Sequence, residues 1–151
     1  MILPAVKEKV EEYKRNGGAV IFTRDTHDDR YPETQEGKCL PVVHCVSGTD
    51  GHRIADELDT GGCVIFDKPA FGSIELAEEA AREDHDEIEI CGVCTDICVV
   101  SNALIIKARL PETRITVDAA CCAGTTEESH MAALLTMQKC QVNIINYDNS
   151  T

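Results

Sequence analysis

Cys98 is the residue in this sequence best placed to act as a nucleophile. It follows Ile90-Cys91-Gly92-Val93-Cys94-Thr95-Asp96-Ile97, in which Ile88 to Val93 reads as a buried strand and Ile97 to Leu110 as a helix. Thr95 and Asp96 are N-cap residue types, which puts Cys98 in the first helical turn. Unpaired backbone N–H groups and the positive helix end favour a thiolate there, lowering the thiol pKa. A cysteine so held at the carboxyl edge of a sheet is suited to nucleophilic attack.

A second group of residues has metal-binding character. Ala19-Val20-Ile21-Phe22-Thr23-Arg24-Asp25-Thr26-His27 is an apolar strand ending in Asp-x-His. Residues two apart on a strand face the same side, so Asp25 and His27 can converge. A carboxylate and an imidazole suit zinc or a similar divalent ion, and a third ligand is needed; His44, in Pro41-Val42-Val43-His44-Cys45-Val46-Ser47-Gly48-Thr49, can supply it. Three protein ligands with open positions describe a catalytic metal rather than a structural one. A third segment, Cys63-Val64-Ile65-Phe66-Asp67-Lys68-Pro69-Ala70-Phe71-Gly72-Ser73, is a strand that ends at a lysine. A cation at that edge favours a neighbouring thiolate and a developing oxyanion. Phe71 is an aromatic ring available to a flat substrate.

The elements that must position these groups alternate along the chain. A helix is expected from Pro4 to Asn16, with Val6, Val10 and Tyr13 at helical spacing, stopped by Gly17-Gly18. Strand 19–24 and a long loop to about 50 follow, then a short helix near 53–58 and strand 63–67. Helix 73–83, strand 87–93, helix 96–109, strand 114–118, helix 126–139 and strand 141–146 complete the pattern. This predicts an α/β fold, a Rossmann-like three-layer sandwich with a mainly parallel sheet and helices on both faces. Sites in open sheets of this kind lie beyond the carboxyl ends of the strands, where Asp25, Lys68 and Cys98 all fall.

Composition narrows the function classes. A chain of 151 residues suits one domain, residues 1–151. The net charge of −13 argues against nucleic acid or an anionic membrane as partner. The nine cysteines are odd in number, lie within strand-like runs and follow no secretory signal, so mostly free thiols in a reducing cytoplasm are expected. No apolar run approaches the about 20 residues of a membrane span.

The Gly92-Val93-Cys94-Thr95-Asp96-Ile97-Cys98-Val99 run resembles the nucleophile motif of the isochorismatase-like cysteine hydrolases, and within them the nicotinamidases. The Asp-x-His strand, the Pro-x-x-His-Cys-Val-x-Gly-Thr loop and the lysine-ended strand occur in that family's order. The resemblance implies cysteine-dependent hydrolysis of nicotinamide to nicotinate through a thioester on Cys98, with Lys68 as a triad member. It implies an oxyanion hole from the backbone N–H groups of Cys94 and Cys98, a cis bond at Val93-Cys94, and Val93 and Phe71 beside the substrate. It implies one divalent metal ion, zinc by preference, on Asp25, His27 and His44, with Glu33 as an optional fourth ligand. A small-molecule amide is the expected partner, and a homo-oligomer is allowed.

Family members begin with a strand ending in the third triad residue, an aspartate. This sequence starts at the helix that follows it, so a vacant lane in the sheet is expected, and neither Asp67 nor Asp96 matches the absent carboxylate. Three alternatives therefore stay open. One is another isochorismatase-like hydrolase. Another is a catalytically impaired fragment or interaction module. The last is a thiol redox protein or zinc site built on Cys91-x-x-Cys94 and Cys121-Cys122.

Overall fold

The computed structural model describes residues 1–147. Helix α1 spans Leu3–Arg15, with Pro4 in its first turn, where a missing N–H costs nothing, and Lys14 and Arg15 at its negative end. Strand β1 is Ile21–Asp25 and β2 is Val64–Lys68, paired in parallel with Asp25 opposite Lys68. The loop between them opens with a 3₁₀ turn, Tyr31–Glu33, and a short helix α2, Gln35–Cys39. The helix expected near 53–58 is not formed; a 3₁₀ turn at Asp50–His52 stands just before it.

The second half alternates as expected: α3 Ile74–Ala80, β3 Glu87–Val93, α4 Val100–Arg109, β4 Arg114–Ala123, α5 Glu127–Lys139 and β5 Asn143–Ile145. All strand pairs are parallel. They form two sheets rather than one, β1–β2 and β3–β4–β5. β4 runs five residues past its expected end, to Ala123, and a register shift between Ile90 and Gly92 accommodates it.

Two apolar clusters hold the layers together. On one face Val99, Ala103 and Ile106 pack with Ile115, Val117, Leu134 and Met137 between α4, α5 and the three-stranded sheet. On the other, Val6 and Val10 of α1 pack against Cys121 of β4, with Val20 and Phe22 of the β1 segment beside them. Helix α1 thus touches both sheets and ties them together. Beneath it, Lys9 reaches Glu89 of β3 and Asp118 of β4, and the Tyr13 hydroxyl donates to Glu89 at 2.6 Å.

The α5 start uses the side chains that the sequence pattern assigned to capping the Cys98 helix. Asp96 accepts from the Thr125 backbone N–H at 2.9 Å and from its hydroxyl at 2.5 Å, and Thr95 Oγ1 pairs with His130 Nδ1 at 2.7 Å. Neither residue caps its own helix. A π-helical turn, Thr95–Val99, intervenes before α4, so Cys98 sits in that wider turn.

Candidate active site and metal site

The candidate residues meet at the carboxyl ends of the strands. Lys68, buried at the end of β2, extends its ammonium to within 3.3 Å of the Cys98 sulfur and donates to the Ala70 carbonyl at 3.2 Å. The same ammonium is hydrogen-bonded to the Asp25 carboxylate. The Asp25 oxygens lie 3.8 and 3.9 Å from the Cys98 sulfur. Cys98, Lys68 and Asp25 therefore form one cluster contributed by three elements.

Electrostatics at the sulfur differ from the simple helix-terminus expectation. Burial pushes the Cys98 thiol above its ordinary value, and the Asp25 carboxylate adds to that push. The Lys68 ammonium and a hydrogen bond from the Cys94 backbone N–H oppose it without cancelling it. The helix start does not make Cys98 a low-pKa thiol; burial and the Asp25 charge hold it above its ordinary range. The Val93–Cys94 peptide bond is cis.

Asn102 is a positioning residue that sequence reasoning missed. It is buried, accepts from the Ser73 N–H at 2.8 Å and donates to the Cys98 carbonyl at 2.9 Å and the Phe71 carbonyl at 3.4 Å. This single amide joins the Cys98 turn to the loop that follows Lys68. An asparagine one turn after Cys98, among Val99, Val100, Ala103 and Leu104, was the available signal. Phe71 and Val93 are both largely exposed, on the segments that carry Lys68 and Cys94.

The loop after β1 builds a second cluster. His27 pairs with the returning chain: its N–H donates to the Cys45 carbonyl at 3.0 Å and its carbonyl accepts from Ser47 at 2.9 Å. That pairing brings His44 beside His27, with ring centroids 4.9 Å apart. Glu36 of α2 faces both, its Oε1 lying 3.6 Å from His27 Nε2 and 3.7 Å from His44 Nε2. Ligand atoms of His27, Glu36 and His44 all lie within 4.8 Å of one another.

The expected ligands fall into two groups. Glu33 is exposed on its 3₁₀ turn, and the carboxylate beside the two histidines is Glu36. Asp25, expected as a ligand, is hydrogen-bonded to Lys68 and lies beside Cys98 in this structure. The donor chemistry fits a divalent ion. His27 Nε2 is buried and has no hydrogen-bond partner, which is costly unless something coordinates it. His44 Nδ1 is paired with the Val42 carbonyl at 2.7 Å, which leaves Nε2 free as the ligand atom.

Comparison with known proteins places the fold in a family. The isochorismatase domain model matches residues 1–148. The chain belongs to the isochorismatase family. It is 30% identical to an isochorismatase family protein of Bacillus subtilis over 89% of this chain and 78% of the relative. It is 28% identical to the nicotinamidase/pyrazinamidase of Mycobacterium tuberculosis, over 83% of this chain and 75% of that one. Its fold matches a crystal structure of the pyrazinamidase of Pyrococcus horikoshii in complex with zinc, with a TM-score of 0.84 and 25% identity. That match covers 97% of this chain and 85% of the other.

The redox alternative loses its basis in the same region. All nine cysteines are free, and burial pushes the Cys91 and Cys122 thiols up to about 12 and Cys121 to about 11. Such thiols are the reverse of a reactive dithiol pair. No helix among the described residues is long and apolar enough to cross a membrane.

Proposed function

We propose that this isochorismatase-family hydrolase is a cysteine-dependent amidase acting on nicotinamide, releasing nicotinate and ammonia through a thioester on Cys98. The observation that carries the reading is the convergence of Lys68 and Asp25 on the Cys98 sulfur. The amide class follows from the amidase relatives, and nicotinamide from the relative whose name states it.

In this reading the Cys98 thiol passes its proton to Asp25 as the sulfur attacks the carboxamide carbon. The Cys94 and Cys98 N–H groups hold the oxygen that becomes negative, and Lys68 lowers the energy of charge on sulfur and oxygen alike. The C–N bond then breaks while Asp25 returns its proton to the departing nitrogen, giving ammonia and the thioester. Water attacks the thioester carbon, losing a proton to Asp25; the C–S bond breaks and the sulfur recovers that proton. A general acid–base group of this kind is worth about 10²–10⁴ in rate. Phe71 and Val93 are proposed to flank the substrate ring.

His27, Glu36 and His44 would hold the divalent ion, zinc by preference. When bound, it supplies Lewis acidity and a fixed point for a ring nitrogen or water. An ammonia-release assay with nicotinamide beside a non-aromatic amide tests the proposal. Turnover of nicotinamide that disappears in Cys98→Ser supports it; turnover that survives the substitution removes the thioester route.

A further inference from the structure

Tyr31 is 1% exposed although it lies in a loop rich in charged and polar residues, and the site chemistry above makes no use of it. Its ring centroid lies 4.6 Å from that of His27, tilted by 51°, and 5.1 Å from that of His44, nearly edge-on at 81°. With the two imidazoles 4.9 Å apart, the three rings form a closed triangle. An imidazole packed this way cannot rotate freely about its side-chain bonds, and its coordinating nitrogen stays aimed.

The same residue clamps the helix that carries Glu36. Its hydroxyl donates to the Leu40 carbonyl at 2.9 Å, just past the end of α2. Its own carbonyl accepts from the Thr34 hydroxyl at 2.7 Å and the Thr34 N–H at 3.0 Å, at the start of α2. Thr34 in turn caps that helix by accepting from the Gly37 N–H at 2.9 Å. The helix packs directly on the Tyr31 backbone: a Cβ at Gly37 would come within 2.0 Å of the Tyr31 carbonyl oxygen. Glu36, the residue before Gly37, is thereby fixed in rotation as well as in height. A five-residue helix has little stability of its own, so an external clamp decides where its side chains point.

We propose that Tyr31 is the positioning residue of the metal site, setting His27 and His44 through its ring and Glu36 through its hydroxyl and carbonyl. This rests on the reading of His27, Glu36 and His44 as metal ligands. Substitution of residues that orient metal ligands typically costs about 10–100-fold in affinity. Tyr31→Leu removes both ring and hydroxyl and should lose that much zinc affinity. Tyr31→Phe keeps the ring triangle, frees the Leu40 carbonyl and should lose less.

The test titrates full-length wild type, Tyr31→Leu and Tyr31→Phe with zinc against a chelator. It also records the visible absorption of the cobalt-loaded proteins, which reports ligand geometry and does not respond to a general loss of stability. The expected result is weakened zinc binding and an altered cobalt spectrum in Tyr31→Leu with unchanged far-ultraviolet circular dichroism. A folded Tyr31→Leu with wild-type zinc affinity and cobalt spectrum overturns the role of Tyr31 alone. Wild type that takes up no zinc overturns the metal reading, and this proposal with it. Should Tyr31→Leu fail to fold, Tyr31→Phe decides: weaker zinc binding supports the clamp and unchanged binding overturns it.

Discussion

Lys68 Nζ lies 3.3 Å from Cys98 Sγ, although the residues are thirty apart in sequence and follow strands in different sheets. Nothing local holds them together. Their meeting depends on α1, which packs on both sheets, and on Asn102, which joins the turn of Cys98 to the loop after Lys68. The meeting of Lys68 and Cys98 is thus a property of how the two sheets pack.

Removing the Lys68 charge should shift the titration of Cys98 upward. Burial and Asp25 already raise this thiol, and the ammonium is the main group opposing them. Lys68→Met leaves the thiolate without its cation, so at any given pH less of it is present. The rate of iodoacetamide labelling at Cys98, followed by peptide mapping across pH, should turn on at higher pH in Lys68→Met than in wild type.

Asp25→Asn should move labelling and hydrolysis in opposite directions. Loss of the neighbouring negative charge favours the thiolate, so Cys98 should label faster at neutral pH. Amide hydrolysis should fall by about 10²–10⁴, the usual worth of a proton-transfer group. Metal content should be retained, because Asp25 is directed at Lys68. Elemental analysis on the same preparations checks this; metal loss in Asp25→Asn would return the residue to the ligand set.

The two candidate carboxylates of the metal loop should behave differently. Glu36→Gln is expected to weaken zinc binding, while Glu33→Gln should leave it unchanged, since only Glu36 faces His27 and His44. Zinc titration of both variants beside His44→Ala supplies the comparison.

Asn102→Ala should destabilise the protein by about 2 kcal/mol, because the buried Ser73 N–H and the Cys98 carbonyl would lose their partner. Hydrolysis should suffer beyond the loss of folded protein, since the Phe71 loop and the Cys98 turn would no longer be held in common. Urea unfolding and activity at matched folded fraction separate the effects.

The charged cluster under α1 predicts acid sensitivity. Burial raises the Asp118 carboxyl, but hydrogen bonds from Lys9, Asn146 and the Ala120 N–H outweigh it, so the folded-state pKa lies below the unfolded one. Its stabilisation is therefore complete above the ordinary carboxylate range, near pH 4, and is lost as pH falls through the depressed value. Lys9→Met should cost about 3 kcal/mol at neutral pH by leaving Glu89 and Asp118 without their cation. Urea midpoints measured from pH 7 to pH 3 should fall on acidification in wild type and start lower in the variant.

Much of the fold was legible in the chain. Strand and helix alternation, the parallel pairing and the placement of Asp25, Lys68 and Cys98 at strand ends follow from periodicity and from the rule that open sheets carry sites at their carboxyl edge. His27 and His44 stand out in the sequence by type and position, and the loop pairing sets their rings 4.9 Å apart. Tertiary structure decided what side chains with several possible partners would do. Thr95 and Asp96 look like caps by residue type, but His130 and Thr125 are nearer than their own helix. Asp25 is suited by type to a metal or to a lysine, and the pairing of β2 with β1 sets it opposite Lys68. Glu33 and Glu36 are indistinguishable as residue types; the packing of Gly37 on the Tyr31 carbonyl turns Glu36 inward. Periodicity reports which face of an element is apolar, whereas the partner of a polar side chain is set by which elements meet, and that is written only in three dimensions.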